Sequence, residues 1–165
     1  MKRKTIIFLV LCAMVNAGFW LLSKMFYVNV TASLPCGLYM RVPSEKFERG
    51  DYIIYEPSNE VKKLITKNGW GSGKHDFLKQ IGAVEGEKYT IDAETLNFEI
   101  DGKYIGRVFE TDSEGNELPK IRGQFEVPQG YILPIAENER SFDGRYSGTI
   151  SVSQIKTRVV PILIF

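Results

Sequence analysis

The chain opens with one long apolar run, and every later apolar run is short. No charged residue stands between Thr5 and Ser23, whereas beyond Lys24 the apolar residues come in strand-length runs separated by polar turns. A helix over Thr5–Ser23 would rise about 30 Å, which matches the hydrocarbon core of a bilayer, also about 30 Å thick. The pattern therefore predicts one membrane-spanning helix followed by a β-rich body.

The charges around the apolar run predict its orientation. Lys2, Arg3 and Lys4 precede it, and Lys and Arg are enriched on the cytoplasmic side of membrane helices. We therefore expect a single-pass protein of the cytoplasmic (inner) membrane, with its N-terminus in the cytoplasm and its body on the periplasmic or extracellular side. The expected division is residues 1–24 as the anchor and residues 25–165 as one extracytoplasmic domain.

A cleaved signal peptide is the alternative for this segment. The sequence "VNA" before Gly18 has the small residues that a cleavage site requires. Apolar residues continue through Phe19–Leu22, however. We therefore favour a retained anchor.

The body shows strand patterns bounded by turn chemistry. "IDGK" between two apolar runs predicts a two-residue hairpin, and "ERGD", "EGE", "SEGN" and "PQG" mark further turns. This pattern predicts a mainly β fold with a coiled or barrel-like antiparallel sheet. The predicted strands are Tyr52–Tyr55, Phe77–Ala83, Lys88–Asp92, Asn97–Ile100, Lys103–Val108, Gln124–Val127, Tyr131–Ile135 and Arg158–Leu163.

One segment of the body has helical rather than strand spacing. Apolar residues at Val61, Leu64 and Ile65 lie on one face of a helix. Ser58 or Asn59 can serve as its N-cap, and a Gly-rich loop begins at position 69. We predict one short amphipathic helix there.

Composition excludes several classes of partner. The chain has 165 residues, 21 basic and 20 acidic, with a net charge of +1, so no bulk field favours nucleic acid. Cys12 and Cys36 do not form a disulfide framework, we expect no bond between them, and no metal-ligand spacing is present. We expect no nucleic-acid partner, no metal and no cofactor.

Ser33 raises the question of chemistry. It lies in "NVTASLPCGLY", a crowded turn just beyond the apolar segment, where it could be simple turn chemistry or a nucleophile. His75 is the single histidine, and its polar surroundings in "GKHD" favour an ordinary loop residue over a base. A neutral lysine can instead activate a serine.

Lys79 is the lysine with an apolar setting. It alternates with Phe77 and Ile81, so the three side chains share one face of a strand. If that face is the core side, burial disfavours the charged ammonium and lowers the lysine pKa towards a useful value. The alternative is an edge or snorkelling lysine.

Three stretches of sequence carry a family resemblance. They are "NVTASLPCGLY", "FLKQIGAVEGEKY" and "SFDGRYSGTI", in that order. They resemble the nucleophile block, the lysine strand and the Ser-x-Asp-Ser-Arg-x-x-Gly box of the signal peptidase I family of membrane-bound serine endopeptidases. The first block is similar to the TraF-like branch from conjugative transfer systems. The resemblance spans nearly the whole chain, and it implies that residues 25–165 are a signal-peptidase-like catalytic domain.

The resemblance implies a role for each matched residue. It implies that Ser33 is the nucleophile and Lys79 the general base. Thr31 matches a hydroxyl residue of the oxyanion hole, which the backbone N–H of Ser33 completes. A donor of this kind is typically worth about 2.7–4 kcal/mol.

The third block implies supporting residues. Ser141 matches a serine that orients the lysine, and Asp143 and Arg145 match a charged pair that braces the site or is only structural. Gly144 replaces the second serine of the box, and a single residue, Leu34, separates the nucleophile from the proline, which favours the TraF-like branch.

The resemblance also implies a substrate class. Family members cut after small residues at positions −1 and −3, and we expect Val30, Ala32 and Leu34 to line the shallow pockets that select them. The partners expected are the membrane and protein precursors that bear signal or leader peptides, pilin or other conjugative-transfer proteins, with release by hydrolysis or by cyclisation. The alternatives are a general housekeeping signal peptidase and a non-catalytic envelope scaffold of a conjugation or secretion system.

Overall fold

The computed structural model describes residues 3–165. Its first element is α1 (Arg3–Met25), which is long and apolar enough to cross a membrane and has no buried residue. This helix coincides with the predicted anchor, of which Met1 and Lys2 lie outside the described residues. Strand β1 (Phe26–Asn29) follows α1 without a linker, so the body begins directly where the apolar helix ends.

The body consists of two antiparallel sheets. The larger has seven strands in the order β1-β2-β11-β3-β4-β9-β10, and the smaller has four in the order β7-β6-β5-β8. The remaining bounds are β2 (Gly37–Val42), β3 (Tyr52–Tyr55), β4 (Phe77–Val84), β5 (Lys88–Ile91), β6 (Asn97–Ile100), β7 (Lys103–Arg107), β8 (Gly123–Glu126), β9 (Tyr131–Ile135), β10 (Ile150–Ser151) and β11 (Ile155–Ile164).

The predicted mainly β class with a curled antiparallel sheet is confirmed. Each predicted strand is present, with most bounds within one residue, although β11 begins three residues earlier than expected. Strands β1, β2 and β10 were missed. Strand β1 is only four residues long and directly follows the apolar helix, β2 lies in the stretch treated as the Ser33 turn, and β10 has only two residues.

The larger sheet is buried on both faces near its centre. Ile54 and Leu78 pack on one face, whereas Ile53, Tyr55 and Ile81 pack on the other. A strand buried on both sides needs apolar residues at consecutive positions, which explains the run in β3. A third cluster, which includes Tyr89, Phe98, Ile100 and Leu133, lies between the two sheets.

The predicted helix is confirmed as α2 (Asn59–Lys67). Ser58, not Asn59, is its N-cap, and its hydroxyl accepts a hydrogen bond from the backbone N–H of Val61 at 3.3 Å. Ile65 is its buried residue. The structure adds a single helical turn, α3 (Gly144–Ser147), and a 3-10 turn at Val152–Gln154.

Candidate active site

The loop between β1 and β2 carries Ser33, and a buried asparagine shapes it. The side-chain amide of Asn29 donates to the backbone oxygens of Thr31, Leu34 and Pro35, each at 3.0 Å. Its Oδ1 accepts the backbone N–H of Thr31 at 3.1 Å. One side chain therefore holds three carbonyls that the tight loop turns towards it.

The hydrophobic neighbours of Ser33 attach the same loop to the sheet. Leu34 is buried with Ile54 and Leu78, and the hydroxyl of Tyr39 donates to the Pro35 oxygen at 2.7 Å. Ser33 itself is half-buried. The turn is therefore rigid at both ends and leaves the serine hydroxyl at its apex.

Lys79 lies on β4 and is only 4% exposed. Strand alternation places it on the same face as Phe77 and Ile81, and Nζ is 5.6 Å from the centre of the Phe77 ring. Ile53 is its partner on β3. Burial lowers the pKa of Lys79 from its ordinary value of 10.5 to about 8, against the opposing attraction of Asp143 and with a smaller lowering from Arg145.

Ser141 joins the serine to the lysine. Lys79 Nζ donates to Ser141 Oγ at 3.0 Å, and Ser141 Oγ lies 2.5 Å from Ser33 Oγ. Within residues 3–165 no direct hydrogen bond links Lys79 to Ser33. The three side chains therefore form one hydrogen-bonded row that runs from the surface of the cleft to the buried amine.

A buried ion pair holds the segment that carries Ser141. Arg145 Nε donates to Asp143 Oδ1 at 2.9 Å, and Nη2 donates to Oδ2 at 2.8 Å. The guanidinium also donates to the backbone oxygens of Ala136, Asn138 and Glu139. Both side chains are almost fully buried. The pair thus ties the loop after β9 to α3, with Ser141 between them.

Asp143 has two further backbone partners. It caps α3 by accepting the N–H of Arg145 at 3.0 Å, and it accepts the N–H of Ala136 at 2.7 Å. Every oxygen of this buried carboxylate is therefore matched by donors, as a buried charge requires.

Thr31 lies beside Ser33, but its hydroxyl is already engaged. Thr31 Oγ1 donates its single proton to Asn29 Oδ1 at 2.8 Å. The backbone N–H of Ser33, by contrast, has no acceptor among residues 3–165. Of the two donors that the sequence suggests for an oxyanion, the amide is free in this structure and the hydroxyl must first rotate.

A cavity of about 650 Å³ opens at Ser33 and is bordered by Val30, Thr31, Lys79 and Ser141. Of the three residues expected to line small-side-chain pockets, only Val30 does so. The expectation is wrong for Leu34, which is core, and for Ala32, which is exposed outside the cavity. The turn directs the three side chains to different surroundings, since Leu34 packs with Ile54 and Leu78 in the core and Ala32 faces solvent.

His75 lies at the exposed rim of the same cavity. In the described part of the chain it forms no hydrogen bond with Ser33. The structure thus brings together Ser33, Lys79, Ser141, Asp143, Arg145 and Thr31.

Sequence reasoning missed two parts of the site. Asn29 belongs to the Ser33 motif, but the sequence alone assigned it no role. Sequence reasoning also did not anticipate Trp70 and Phe142, which border the far side of the cavity. An asparagine two positions before the threonine of a Thr-x-Ser turn, as in Asn29-Val30-Thr31, is the signal that could have identified the first.

Comparison with known proteins assigns the family. The model of the family "Signal peptidase, peptidase S26" matches residues 2–164. Two plasmid transfer proteins TraF from Escherichia coli are 27% and 25% identical to this chain, each over 82% of it and 81% of their own length. A signal peptidase I structure from Enterococcus faecalis V583 is 15% identical, with a TM-score of 0.41, and covers 70% of this chain and 97% of its own.

The family match extends over the Ser33 loop, the Lys79 strand and the segment with Ser141, Asp143 and Arg145. These are the same stretches that form the hydrogen-bonded row and its buried ion pair. The chain belongs to the signal peptidase, peptidase S26, family, and it is similar to the TraF plasmid transfer proteins.

Proposed function

We propose that the chain is a membrane-anchored serine endopeptidase in which Ser33 is the nucleophile and Lys79 the general base. The observation that carries this proposal is the row Ser33–Ser141–Lys79 with a buried lysine at its inner end. A lysine with a pKa of about 8 is neutral in about one tenth of molecules at pH 7. That fraction is large enough for general base catalysis.

In the proposed reaction Ser33 Oγ attacks the carbonyl carbon of the scissile peptide bond. As the new C–O bond forms, the Ser33 proton passes to Ser141 Oγ, whose own proton passes to Lys79 Nζ. Charge develops on the carbonyl oxygen, where the free N–H of Ser33 and the rotated hydroxyl of Thr31 donate to it. The Lys79 ammonium then protonates the leaving amine, and an acyl-enzyme on Ser33 remains.

The acyl-enzyme can be resolved by two nucleophiles. Water gives a hydrolysed product, whereas the N-terminal amine of the same precursor gives a cyclic one. Either nucleophile gives up a proton, through Ser141, to the neutral Lys79, and Lys79 returns a proton through Ser141 to Ser33 Oγ as the acyl C–O bond breaks. The mass of the product distinguishes them, because the cyclic form is lighter by one water.

The substrates we propose are signal-bearing or leader-bearing precursors of the conjugative-transfer apparatus, pilin precursors above all. The similarity to two plasmid transfer proteins supports this class over housekeeping precursors. The absence of a linker between α1 and β1 keeps the Ser33 loop close to the end of the apolar helix. A precursor still held in the bilayer by its own leader can then reach the serine.

We propose that α1 is retained as the anchor, with the basic N-terminus in the cytoplasm. Membrane fractionation followed by an alkaline wash and intact-mass measurement tests this. The full chain should stay with the membrane. A mature chain that begins at Gly18 and leaves the membrane would instead establish the cleaved signal peptide.

The test of function uses co-expression. A pilin precursor of the same transfer system is expressed with wild type, Ser33→Ala or Lys79→Ala, and its mass is followed. Wild type should shorten the precursor, and both variants should leave it intact. Processing by both variants at the wild-type rate would refute the Ser33/Lys79 dyad. Equal precursor levels with and without the wild-type chain would favour a non-catalytic scaffold.

A further inference from the structure

The cavity at Ser33 continues into a second region. We call this region the aromatic chamber and define it by four large apolar side chains that line it, Trp70, Phe109, Leu118 and Phe142. Phe142 directly follows Ser141 in the chain. The chamber therefore begins beside the serine that bridges Ser33 and Lys79, and the two regions form one continuous cavity.

Three contacts hold Trp70 at the chamber wall. Its backbone N–H donates to the Ile65 oxygen in α2 at 3.0 Å. Its indole Nε1 donates to Asp112 Oδ2 at 2.6 Å. Its ring lies 5.6 Å from the Phe142 ring. The Gly-rich loop after α2 thus presents a tryptophan in a defined position, although glycines surround it.

The Asp112 carboxylate is arranged to receive the indole. Asn116 donates to it from its side chain at 2.8 Å and from its backbone at 2.8 Å. These bonds, chiefly the side-chain one, together with the Trp70 bond lower the pKa of Asp112 to about 2. The carboxylate is charged at neutral pH, and the only polar atom of the indole is satisfied, so the remaining tryptophan surface is apolar.

The chamber is larger than small side chains need. The whole cavity measures about 650 Å³, within the range of sites that enclose ligands of substantial size. Trp70, Phe109, Leu118 and Phe142 are each only partly buried. Cleavage after small residues uses the region beside Ser33 and leaves the aromatic region without an occupant.

We propose that the aromatic chamber is a substrate subsite that binds one bulky apolar side chain of the precursor, aromatic or large aliphatic. This side chain is separate from the small ones next to the cleaved bond. The inference rests on the proposed peptidase function. Polypeptide is the fitting occupant because the chamber is continuous with the nucleophile, so a chain bound at Ser33 passes its neighbouring residues across the chamber mouth.

The size of the effect follows from burial. Full burial of a phenylalanine side chain contributes about 1.5–3 kcal/mol, which corresponds to about a 10-fold to 100-fold gain in kcat/KM. Removal of the Trp70 ring should abolish most of that gain.

The first experiment measures preference. Short peptides carry Ala at positions −1 and −3 and polar residues elsewhere, and a single Phe is moved through the other positions. Wild type should favour Phe at one position by about 10-fold to 100-fold, and Trp70→Ala should lose that preference. Tyr104→Ala is the matched control, because Tyr104 is an exposed aromatic residue on β7 outside the cavity.

The second experiment measures binding without turnover and without altering the chamber. The chain has two tryptophans, so Trp20→Phe leaves Trp70 as the single emitter, and Ser33→Ala blocks cleavage. Titration with each Phe peptide in turn should identify one that changes the Trp70 emission saturably. The same peptide with Ala in place of Phe should produce no such change at equal concentration.

The outcomes separate this inference from the proposed function. If wild type cleaves the peptides with no positional preference for Phe and the Trp70 emission stays constant, the subsite is overturned and the peptidase stands. If the emission saturates with the Phe peptide but wild type cleaves none of the peptides, the chamber binds apolar peptide and the peptidase proposal fails. Equal Phe preference in wild type and Trp70→Ala also overturns the subsite.

Discussion

Lys79 Nζ donates a hydrogen bond to Ser141 Oγ at 3.0 Å, at a point where the lysine side chain is shielded from water. Among residues 3–165 this is the only hydrogen bond of the amine, and the Phe77 ring lies 5.6 Å from Nζ. The charged ammonium form of Lys79 is therefore poorly stabilised in the folded protein. This environment, rather than a specific base, makes the lysine neutral at an accessible pH.

The pH dependence of activity follows from this burial. The pKa of Lys79 is lowered to about 8, and only the neutral amine accepts a proton. We expect kcat/KM to rise with pH and to level off above about pH 8, measured on a fluorogenic peptide. A profile that is flat from pH 6 to pH 9 would contradict a neutral Lys79 base.

Lys79→Met should abolish activity and raise stability. Between about pH 8 and pH 10.5 the folded chain binds fewer protons at Lys79 than the unfolded chain does. The free energy of unfolding therefore rises with pH in that window, by about 3 kcal/mol for this group. Below it, the burial cost is present in full, and Met removes it.

Denaturant unfolding of wild type and Lys79→Met at several pH values checks this. The variant should be more stable at pH 7, and the difference should shrink as the pH rises through the window. A variant that is less stable than wild type at pH 7 would mean that the ammonium is well solvated in the folded protein.

The Ser141→Ala variant tests whether Ser141 relays a proton between Ser33 and Lys79 or only fills space. Loss of the bridging hydroxyl leaves Ser33 and Lys79 without their shared partner, and a misplacement of this kind can cost about 10²-fold in kcat. The KM and the unfolding midpoint should change little. Ser153→Ala, on an exposed 3-10 turn, is the control, and kcat values equal to wild type in both variants would exclude a role for Ser141.

Thr31→Val and Asn29→Leu should have different effects. Thr31→Val removes a proposed oxyanion donor and should lower kcat by about 10²-fold to 10³-fold with little change in stability. Asn29→Leu leaves three backbone oxygens of the loop without their donor and should also lower the free energy of unfolding by about 1–3 kcal/mol. Measurements of kcat and of thermal unfolding for both variants separate the catalytic effect from the effect on stability. An Asn29→Leu variant as stable as wild type would refute the structural role of Asn29.

The buried ion pair should be essential for folding in a way that a surface pair is not. Arg145→Met leaves Asp143 buried and unpaired, which should cost about 3–5 kcal/mol. Arg49→Met removes the exposed pair with Asp101, 2.9 Å long, and should cost at most about 1 kcal/mol. Urea unfolding compares the two variants. Equal losses of unfolding free energy would show that burial does not make the Asp143–Arg145 pair more important to stability than the surface pair.

The sequence by itself determined the apolar helix, the strands and the residues to examine. Period-two alternation predicted that Phe77, Lys79 and Ile81 share one face of a strand, because successive side chains of a strand point to opposite faces. The spacing of Val61, Leu64 and Ile65 predicted α2, because residues three and four positions apart share one face of a helix. These are local rules, and the structure agrees with them.

Only the tertiary structure decided what meets at Ser33. Ser141 lies more than a hundred positions from Ser33 and reaches it because β9 pairs with β4 and the Asp143–Arg145 pair folds the next segment back. Leu34 turned into the core and Trp70 turned towards the cleft, although neither lies in a periodic element. Contacts between distant segments depend on how sheets pack, and no local pattern encodes that.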